Sequence, residues 1–162
     1  MTATAQPSSS TTSSTDRIEK TFTVNAPRSR VWRALADEKE FGTWFRMKFD
    51  RPFAEGATLK AQLTHPSMTH VTFDIVVDRI QPERYFSYKW HPYAIDPKSD
   101  YSQEPLTLVE FTLKEVKDGT EVTIVESGFD RIPLGRRDEA FRMNNKGWDG
   151  QARNLTAYVA QS

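Results

Sequence analysis

One acidic residue falls on the apolar side of a predicted strand, where a carboxylate is uncommon. Glu126 has the same strand parity as Val122 and Ile124, so its side chain is expected to point into the protein. A buried carboxylate without partners is costly, so Glu126 needs Arg, His, Lys or water beside it, or a raised pKa. Because it also stands at the end of its strand, contact with solvent is the alternative. Asn144, on the apolar face of the last predicted helix, is a second polar group that could orient a ligand.

Aromatic side chains recur on one face of the predicted strands and on the helices beside them. Strand alternation and helical spacing direct these rings to a common space between the sheet and the last helix. The functional interpretation is a ligand cavity with aromatic walls and few polar groups, and the alternative is a solid core. The rings are Trp44, Phe45, Phe73, Tyr88, Trp90, Phe111, Phe141 and Trp148, and all of them except Phe45 are assigned to ligand binding together with Glu126 and Asn144.

Histidines and short motifs offer little other chemistry. His91 ends a predicted strand and opens a long loop, so it is assigned to the rim of the pocket, whereas His65 and His70 flank a Pro-Ser turn and are expected at the surface. No two histidines have metal-ligand spacing and the chain has no cysteine, so neither a metal nor another cofactor is predicted. There is no Gly-x-Ser-x-Gly segment and no glycine-rich phosphate loop. The adjacent Arg136 and Arg137 are expected to be solvated.

Length and charge limit the classes of protein that fit. A chain of 162 residues has the length of one domain and can bury a core without metals or disulfides. Lysine plus arginine and aspartate plus glutamate both total 22, so there is no electrostatic reason to expect nucleic acid or an acidic membrane as partner. No apolar stretch approaches the ~20 residues of a membrane helix, and no secretory signal is recognised. A cytoplasmic protein is therefore expected.

The N-terminal segment differs in composition from the rest of the chain. Residues 1–16 are a Ser/Thr-rich tail that is predicted to be disordered because it has almost nothing apolar to bury, and residues 17–162 are predicted to form one domain. Alternation at the start of this domain predicts a strand, and Pro27 predicts the beginning of a helix. A second short helix is predicted over residues 37–45, broken at Gly42.

The middle of the chain changes to a period of two. Alternation from about residue 48 to residue 127 predicts an antiparallel meander of about five or six strands, with turns such as the one at Gly119. The connection 92–105 is longer than a hairpin requires, and it is interpreted either as a lid or binding loop or as an idle insertion. Helical spacing then predicts one long helix over residues 136–160.

A series of short motifs runs through residues 17–160 in a fixed order. In order and spacing they resemble the activator of the heat-shock protein 90 ATPase homologue-like family, within the START/SRPBCC (birch-pollen-allergen-like) superfamily. The resemblance implies an α+β helix-grip fold, in which a curved antiparallel sheet wraps round a long C-terminal helix and two short helices follow the first strand. The motifs are Ala26-Pro27 with Val31-Trp32 and Leu35, Trp44, Gly56, Arg79-Ile80-Gln81-Pro82 before Tyr88-Lys89-Trp90, Val109-Glu110-Phe111, Gly119-Thr120 with Val122-Thr123-Ile124, Ser127-Gly128-Phe129, and Gly147-Trp148 with Leu155.

The resemblance implies a cavity between the sheet and the C-terminal helix, but this fold hosts carriers, cyclases, sensors and chaperone cofactors. Binding of a small hydrophobic or aromatic ligand in that cavity is the primary prediction. An enzyme of the cyclase, hydrolase or lyase type, with Glu126 and His91 as acid and base, is an alternative that requires two ionisable groups to meet inside the cavity. A chaperone cofactor, suggested by family analogy alone, would require an exposed docking surface.

Overall fold

The computed structural model describes residues 15–161, and these form one seven-stranded antiparallel sheet and three α-helices. Two helices follow the first strand and a long helix ends the chain, so the predicted α+β helix-grip fold is confirmed. The strands are β1 (Arg17–Val24), β2 (Met47–Phe49), β3 (Thr58–Leu63), β4 (Thr72–Gln81), β5 (Tyr85–Trp90), β6 (Thr107–Val116) and β7 (Gly119–Ser127), and the helices are α1 (Arg28–Ala36), α2 (Glu38–Phe45) and α3 (Leu134–Ala160).

The strands of the sheet follow the order β1-β7-β6-β5-β4-β3-β2, and each is antiparallel to its neighbours. β1 pairs with β7 along its whole length, from Arg17 opposite Ser127 to Val24 opposite Thr120. The first strand is therefore joined to the last, and the apolar side chains of the meander line one concave face. Alternation does not predict β2, because a strand of three residues is too short for a period of two to show.

The C-terminal helix packs on the concave face of the sheet. α3 begins at Leu134, slightly before the predicted residue 136, because Pro133 takes up extended backbone angles at the N-cap and ends the preceding loop. The buried residues of this 27-residue helix recur on one side, as expected for a helix that is covered on a single face. They are Ala140, Trp148, Leu155 and Val159.

The second helix is continuous through Gly42, so the predicted break there is wrong. Asp37 begins α2 by accepting hydrogen bonds from the backbone N–H groups of Lys39 and Glu40, at 2.8 and 3.1 Å. Glycine is required inside this helix for a different reason, since a Cβ at position 42 would lie 2.1 Å from the carbonyl oxygen of Met47. The glycine thus allows β2 to pass directly beside the helix.

Two residues that the sequence assigns to the tail, Thr15 and Asp16, form hydrogen bonds with the turn after β7. Asp16, which the sequence places in the tail, accepts hydrogen bonds through its carbonyl oxygen from the N–H groups of Gly128 and Phe129, at 3.1 and 3.2 Å. The Thr15 hydroxyl donates to the Asp130 carboxylate at 2.7 Å. These bonds attach the start of the domain to the turn after β7. The rest of the predicted tail, residues 1–14, lies outside the described residues.

Trp148 is the largest side chain that α3 buries, and it is 3% exposed. Replacing it by Ala should lower the free energy of unfolding by roughly 3–5 kcal/mol, because the change leaves a cavity between helix and sheet. Urea unfolding measures the loss, and Lys146→Ala, at an exposed position of the same helix, should change it by less than about 0.5 kcal/mol. A loss below about 1 kcal/mol for Trp148→Ala would contradict the docking of α3 on the sheet.

Candidate functional site

A buried carboxylate lies between the sheet and α3. Glu126, near the end of β7, is 0% exposed, and its two oxygens accept four hydrogen bonds. Oε2 accepts from Trp90 Nε1 at 2.8 Å and from the Thr107 hydroxyl at 2.6 Å. Oε1 accepts from Asn144 Nδ2 at 3.0 Å and from Trp148 Nε1 at 2.8 Å. The carboxylate is thus satisfied by neutral donors, rather than by the cationic side chains or exposure to solvent that the sequence also allowed.

Strand register and helical spacing bring the four donors together. Trp90 is the last residue of β5 and lies opposite Thr107, the first residue of β6. Glu126 on β7 lies opposite Val109, two residues along from Thr107 and therefore on the same face of the sheet. Asn144 and Trp148 are four residues apart on α3, so they project from the same side of the helix toward this face. The site is assembled from three strands and one helix.

Burial raises the pKa of the Glu126 carboxyl above its ordinary value, because the charged form has lost its water. The four hydrogen bonds act in the opposite direction and lower the pKa, since each donor stabilises the ionised form. Two of these donors are indole N–H groups and one is an amide N–H, and none of these three groups can accept a hydrogen bond from a protonated carboxyl. The arrangement is therefore built for the ionised carboxylate, although burial delays ionisation to higher pH.

The raised pKa gives a pH-dependent contribution to stability, which Glu126→Gln removes. In the wild-type protein this contribution is fully present below the ordinary pKa of 4.5 and is lost as the pH rises through the higher pKa of the folded state. We expect the unfolding free energy of the wild type, minus that of Glu126→Gln, to fall as the pH rises above about 4.5 and then to level off. Urea unfolding of both proteins at roughly pH 4 to 8 measures this difference. A difference that rises with pH over that range would contradict the raised pKa.

A pocket of about 170 Å³ opens beside this carboxylate, between α3 and the sheet. Three of the four Glu126 partners form part of its wall, so the carboxylate lies directly behind the lining. Most of the wall is apolar, and the exposed Gly147 marks a side that is open to solvent. The lining residues are Phe45, Met47, Leu63, Phe73, Trp90, Tyr93, Ile95, Asn144, Gly147, Trp148 and Gln151.

Four residues assigned to the site from the sequence line this pocket: Phe73, Trp90, Asn144 and Trp148. Glu126 lies behind the pocket and has no accessible surface, so in this structure Asn144, rather than Glu126, presents a polar side chain to it. The carboxylate affects the pocket by fixing the orientation of the lining side chains that donate hydrogen bonds to it.

Three further rings from the predicted set belong to the core and do not line the pocket. Trp44 donates its indole N–H to the Ala34 carbonyl at 2.8 Å, and Phe111 is fully buried against other rings. Tyr88 is also buried, and its hydroxyl has no hydrogen-bond partner among residues 15–161. Some rings of the aromatic set therefore form a solid core, and others form walls of the pocket.

The remaining two assigned residues lie apart from the pocket. His91 faces a separate cleft with Asp100 and Tyr101, and its Nε2 is 3.2 Å from the Glu104 carbonyl oxygen. Phe141 is half-buried and packs edge-to-face on Phe129, with ring centroids 5.2 Å apart. His91 is not among the hydrogen-bond partners of Glu126, and each of those partners is a non-ionisable side chain.

Seven of the lining residues are not assigned to ligand binding from the sequence, although one of them, Phe45, belongs to the predicted set of aromatic rings. Gly147 carried a signal, because glycine inside a helix costs about 1 kcal/mol relative to alanine. A Cβ at this position would meet nothing within 4 Å, so the missing side chain leaves the pocket open rather than bringing the helix close to the sheet. The other six come from α2, β2, β3, α3 and the loop after β5, and they are Phe45, Met47, Leu63, Tyr93, Ile95 and Gln151.

The loop between β5 and β6 is held in place by one arginine. Arg136, near the start of α3, forms an ion pair with Glu104 at 2.8 Å and donates to the carbonyl oxygens of Pro92 and Tyr93 at 2.7 and 3.2 Å. Its guanidinium also lies over the Tyr101 ring, 4.7 Å from the centroid. The prediction that Arg136 is solvated is therefore wrong, because the loop folds back over the start of the helix and covers it. The same loop places Tyr93 and Ile95 in the pocket wall.

Removing this arginine should loosen the loop without unfolding the domain. In Arg136→Ala the amides of residues 93–104 should exchange with solvent about tenfold faster or more, because charge-assisted hydrogen bonds between loop and helix are lost. Hydrogen exchange read by mass spectrometry measures the change. Arg142→Ala is the matched control, since Arg142 is exposed and faces only Asp138 on its own helix, at 3.6 Å. Equal loop exchange in Arg136→Ala and the wild type would show that Arg136 does not hold the loop.

Two other structural properties bear on the class of protein. No helix within residues 15–161 combines the length and apolarity needed to cross a membrane. Across the same residues, no three His, Asp or Glu side chains come together in a way that could hold a metal ion.

The fold is that of START/SRPBCC-type helix-grip proteins. Residues 25–160 match the family described as Activator of Hsp90 ATPase homolog 1-like protein, and the chain belongs to this family. A search of the curated proteins finds no sequence match.

Solved structures of low sequence identity share the fold. A protein from Mesorhizobium loti has 22% identity and a TM-score of 0.71, with 90% of this chain and 98% of that chain covered. A protein from Bacillus halodurans has 23% identity and a TM-score of 0.66, with 88% and 96% covered. A protein from the dynemicin biosynthetic locus has 23% identity and a TM-score of 0.69, with 90% of this chain but 47% of that chain covered. At these identities the similarity establishes the fold alone.

Proposed function

We propose that the protein binds a small hydrophobic or aromatic molecule in the pocket between the sheet and α3. The observation that carries this proposal is an apolar pocket with aromatic walls that is open at Gly147, in the place where helix-grip proteins commonly hold hydrophobic ligands. Rings such as Phe73, Trp90 and Trp148 provide large contact areas for an apolar guest.

The size of the pocket restricts the ligand. Its volume of about 170 Å³ is close to that of an engineered apolar cavity of ~150 Å³ that accepts benzene. A single-ring compound therefore fits without rearrangement. A larger ligand would have to extend through the open side at Gly147 or displace Tyr93 and Ile95, which the loop after β5 contributes to the wall.

The proposal includes a cytoplasmic location and no nucleic-acid or membrane partner, in keeping with the equal totals of 22 basic and 22 acidic residues. The family description suggests a chaperone as another partner. Within residues 15–161, the large hydrophobic side chain that is strongly exposed is Leu134, at 79%, and a single residue of this kind does not form a docking face. Ligand binding is therefore the function that the geometry favours.

Filling the open side of the pocket should weaken binding of a small apolar molecule. We expect toluene to bind the wild-type protein saturably and Gly147→Leu to weaken it by about tenfold or more, because the added side chain projects into space that is empty of protein atoms. Chemical-shift changes in a two-dimensional amide NMR titration measure the affinity and identify the residues affected.

Gly135→Leu is the matched control for this experiment. Gly135 is exposed in the first turn of α3, and a Cβ there also meets nothing within 4 Å. Both substitutions should raise helix stability by about 0.5–1 kcal/mol, so a loss of binding confined to Gly147→Leu cannot come from unfolding. Toluene that binds Gly147→Leu as tightly as the wild type would overturn the proposal, as would a wild-type protein that binds neither toluene nor any of p-cresol, anisole, benzamide and benzoate.

A further inference from the structure

The polar groups of the pocket wall are unequally available to a ligand. The indole N–H groups of Trp90 and Trp148 both donate to Glu126, at 2.8 Å each, and point away from the pocket. The amide of Gln151 donates to the Phe45 carbonyl at 3.3 Å and accepts from Asn154 at 3.1 Å. The two tryptophans therefore present the apolar surfaces of their rings to the pocket. The Gln151 amide already has hydrogen-bond partners on both its nitrogen and its oxygen.

Asn144 differs because only half of its amide has a partner. A carboxylate accepts hydrogen bonds and cannot donate one, so the atom of Asn144 that faces Glu126 at 3.0 Å must be the nitrogen. This fixes the orientation of the amide and directs Oδ1 away from the carboxylate. Oδ1 accepts no hydrogen bond from any other side chain within residues 15–161, and Asn144 is a half-buried lining residue. The wall therefore presents a carbonyl oxygen, which is an acceptor.

The other polar groups of the wall that keep hydrogen-bonding capacity within residues 15–161 are the Tyr93 hydroxyl, on the loop at the rim, and the second N–H of the Asn144 and Gln151 amides. A hydroxyl can donate or accept, so it does not discriminate between ligands with donors and ligands with acceptors. The preference for ligands that carry a hydrogen-bond donor is therefore set by Asn144 Oδ1.

Charge adds a second restriction. Glu126 lies immediately behind Trp90, Asn144 and Trp148, and the lining residues include no Lys, Arg or His. An anionic ligand would lose its water in an apolar pocket without a cation to replace it, and it would approach a carboxylate of the same sign. A neutral ligand avoids both costs.

We infer that the pocket selects neutral single-ring compounds that carry a hydrogen-bond donor, such as a phenolic hydroxyl or a primary amide, with Asn144 Oδ1 as the acceptor, and that it rejects carboxylates. This inference rests on the proposed function, because it names the ligand class of the same pocket.

Two pairs of probes test the donor and the charge separately. p-Cresol and anisole are isomers, and only p-cresol has a hydroxyl that can donate. Benzamide and benzoate have nearly the same shape, and only benzoate is charged. By calorimetry or NMR titration of the wild-type protein at about pH 8, we expect p-cresol to bind about fivefold tighter than anisole, and benzamide at least about tenfold tighter than benzoate.

Variants of the helix assign the donor preference to Asn144. Asn144→Leu should reduce the preference for p-cresol over anisole to within about twofold, because the acceptor is gone. Asn145→Leu, the same substitution at the exposed neighbouring position, should keep the preference. Near-ultraviolet circular dichroism checks that both variants are folded, and the comparison of probes on the wild type stands without them.

The outcomes separate this inference from the function on which it rests. If anisole binds as tightly as p-cresol, or benzoate as tightly as benzamide, the ligand class is wrong while binding of apolar molecules stands. If toluene and all four probes fail to bind, the proposed function itself is wrong. If the preference for p-cresol survives in Asn144→Leu, the donor is recognised by another group and the role of Asn144 is wrong.

Discussion

The structure depends on one buried carboxylate. A carboxylate that has lost its water must recover its hydrogen bonds from protein groups, or its charge becomes too costly to keep. Glu126 recovers four of them, from Trp90 on β5, Thr107 on β6, and Asn144 and Trp148 on α3. Because each bond is effective only within a narrow range of distance and angle, these contacts hold α3 at a defined position above the sheet.

The pocket is a consequence of that constraint. The two indoles and the amide that satisfy Glu126 are also pocket walls, so their orientations are set by the carboxylate before any ligand arrives. Binding of the proposed ligand would therefore require little ordering of these side chains, which is the advantage of a preorganised site. The open side is set by different means, since Gly147 leaves space on the helix and Arg136 holds the loop that carries Tyr93 and Ile95.

Family membership and pocket chemistry answer different questions. The similar solved structures share the helix-grip fold at 22–23% sequence identity. At this level of identity the backbone fold is retained while most side chains differ. A fold shared so widely does not identify a ligand. The proposed ligand class rests instead on the atoms that line the pocket, above all the orientation of the Asn144 amide and the absence of a cation among the lining residues.

The amino-acid sequence by itself determined the fold, and it favoured the inward direction of Glu126 and Asn144 and the burial of most of the aromatic rings, because these follow from periods of two and 3.6 and from the order of the motifs. It left solvent contact open for Glu126, which stands at the end of its strand. It did not separate the rings of the pocket, such as Phe73 and Trp90, from core rings such as Tyr88 and Phe111, since strand parity distinguishes faces but not positions along a face. Local sequence patterns also could not predict the contacts of Arg136, because its partners lie more than 30 residues away in sequence. Only the tertiary structure decided which inward side chains line the pocket and which polar atoms remain without a hydrogen-bond partner. Both depend on how segments that are distant in sequence pack against one another.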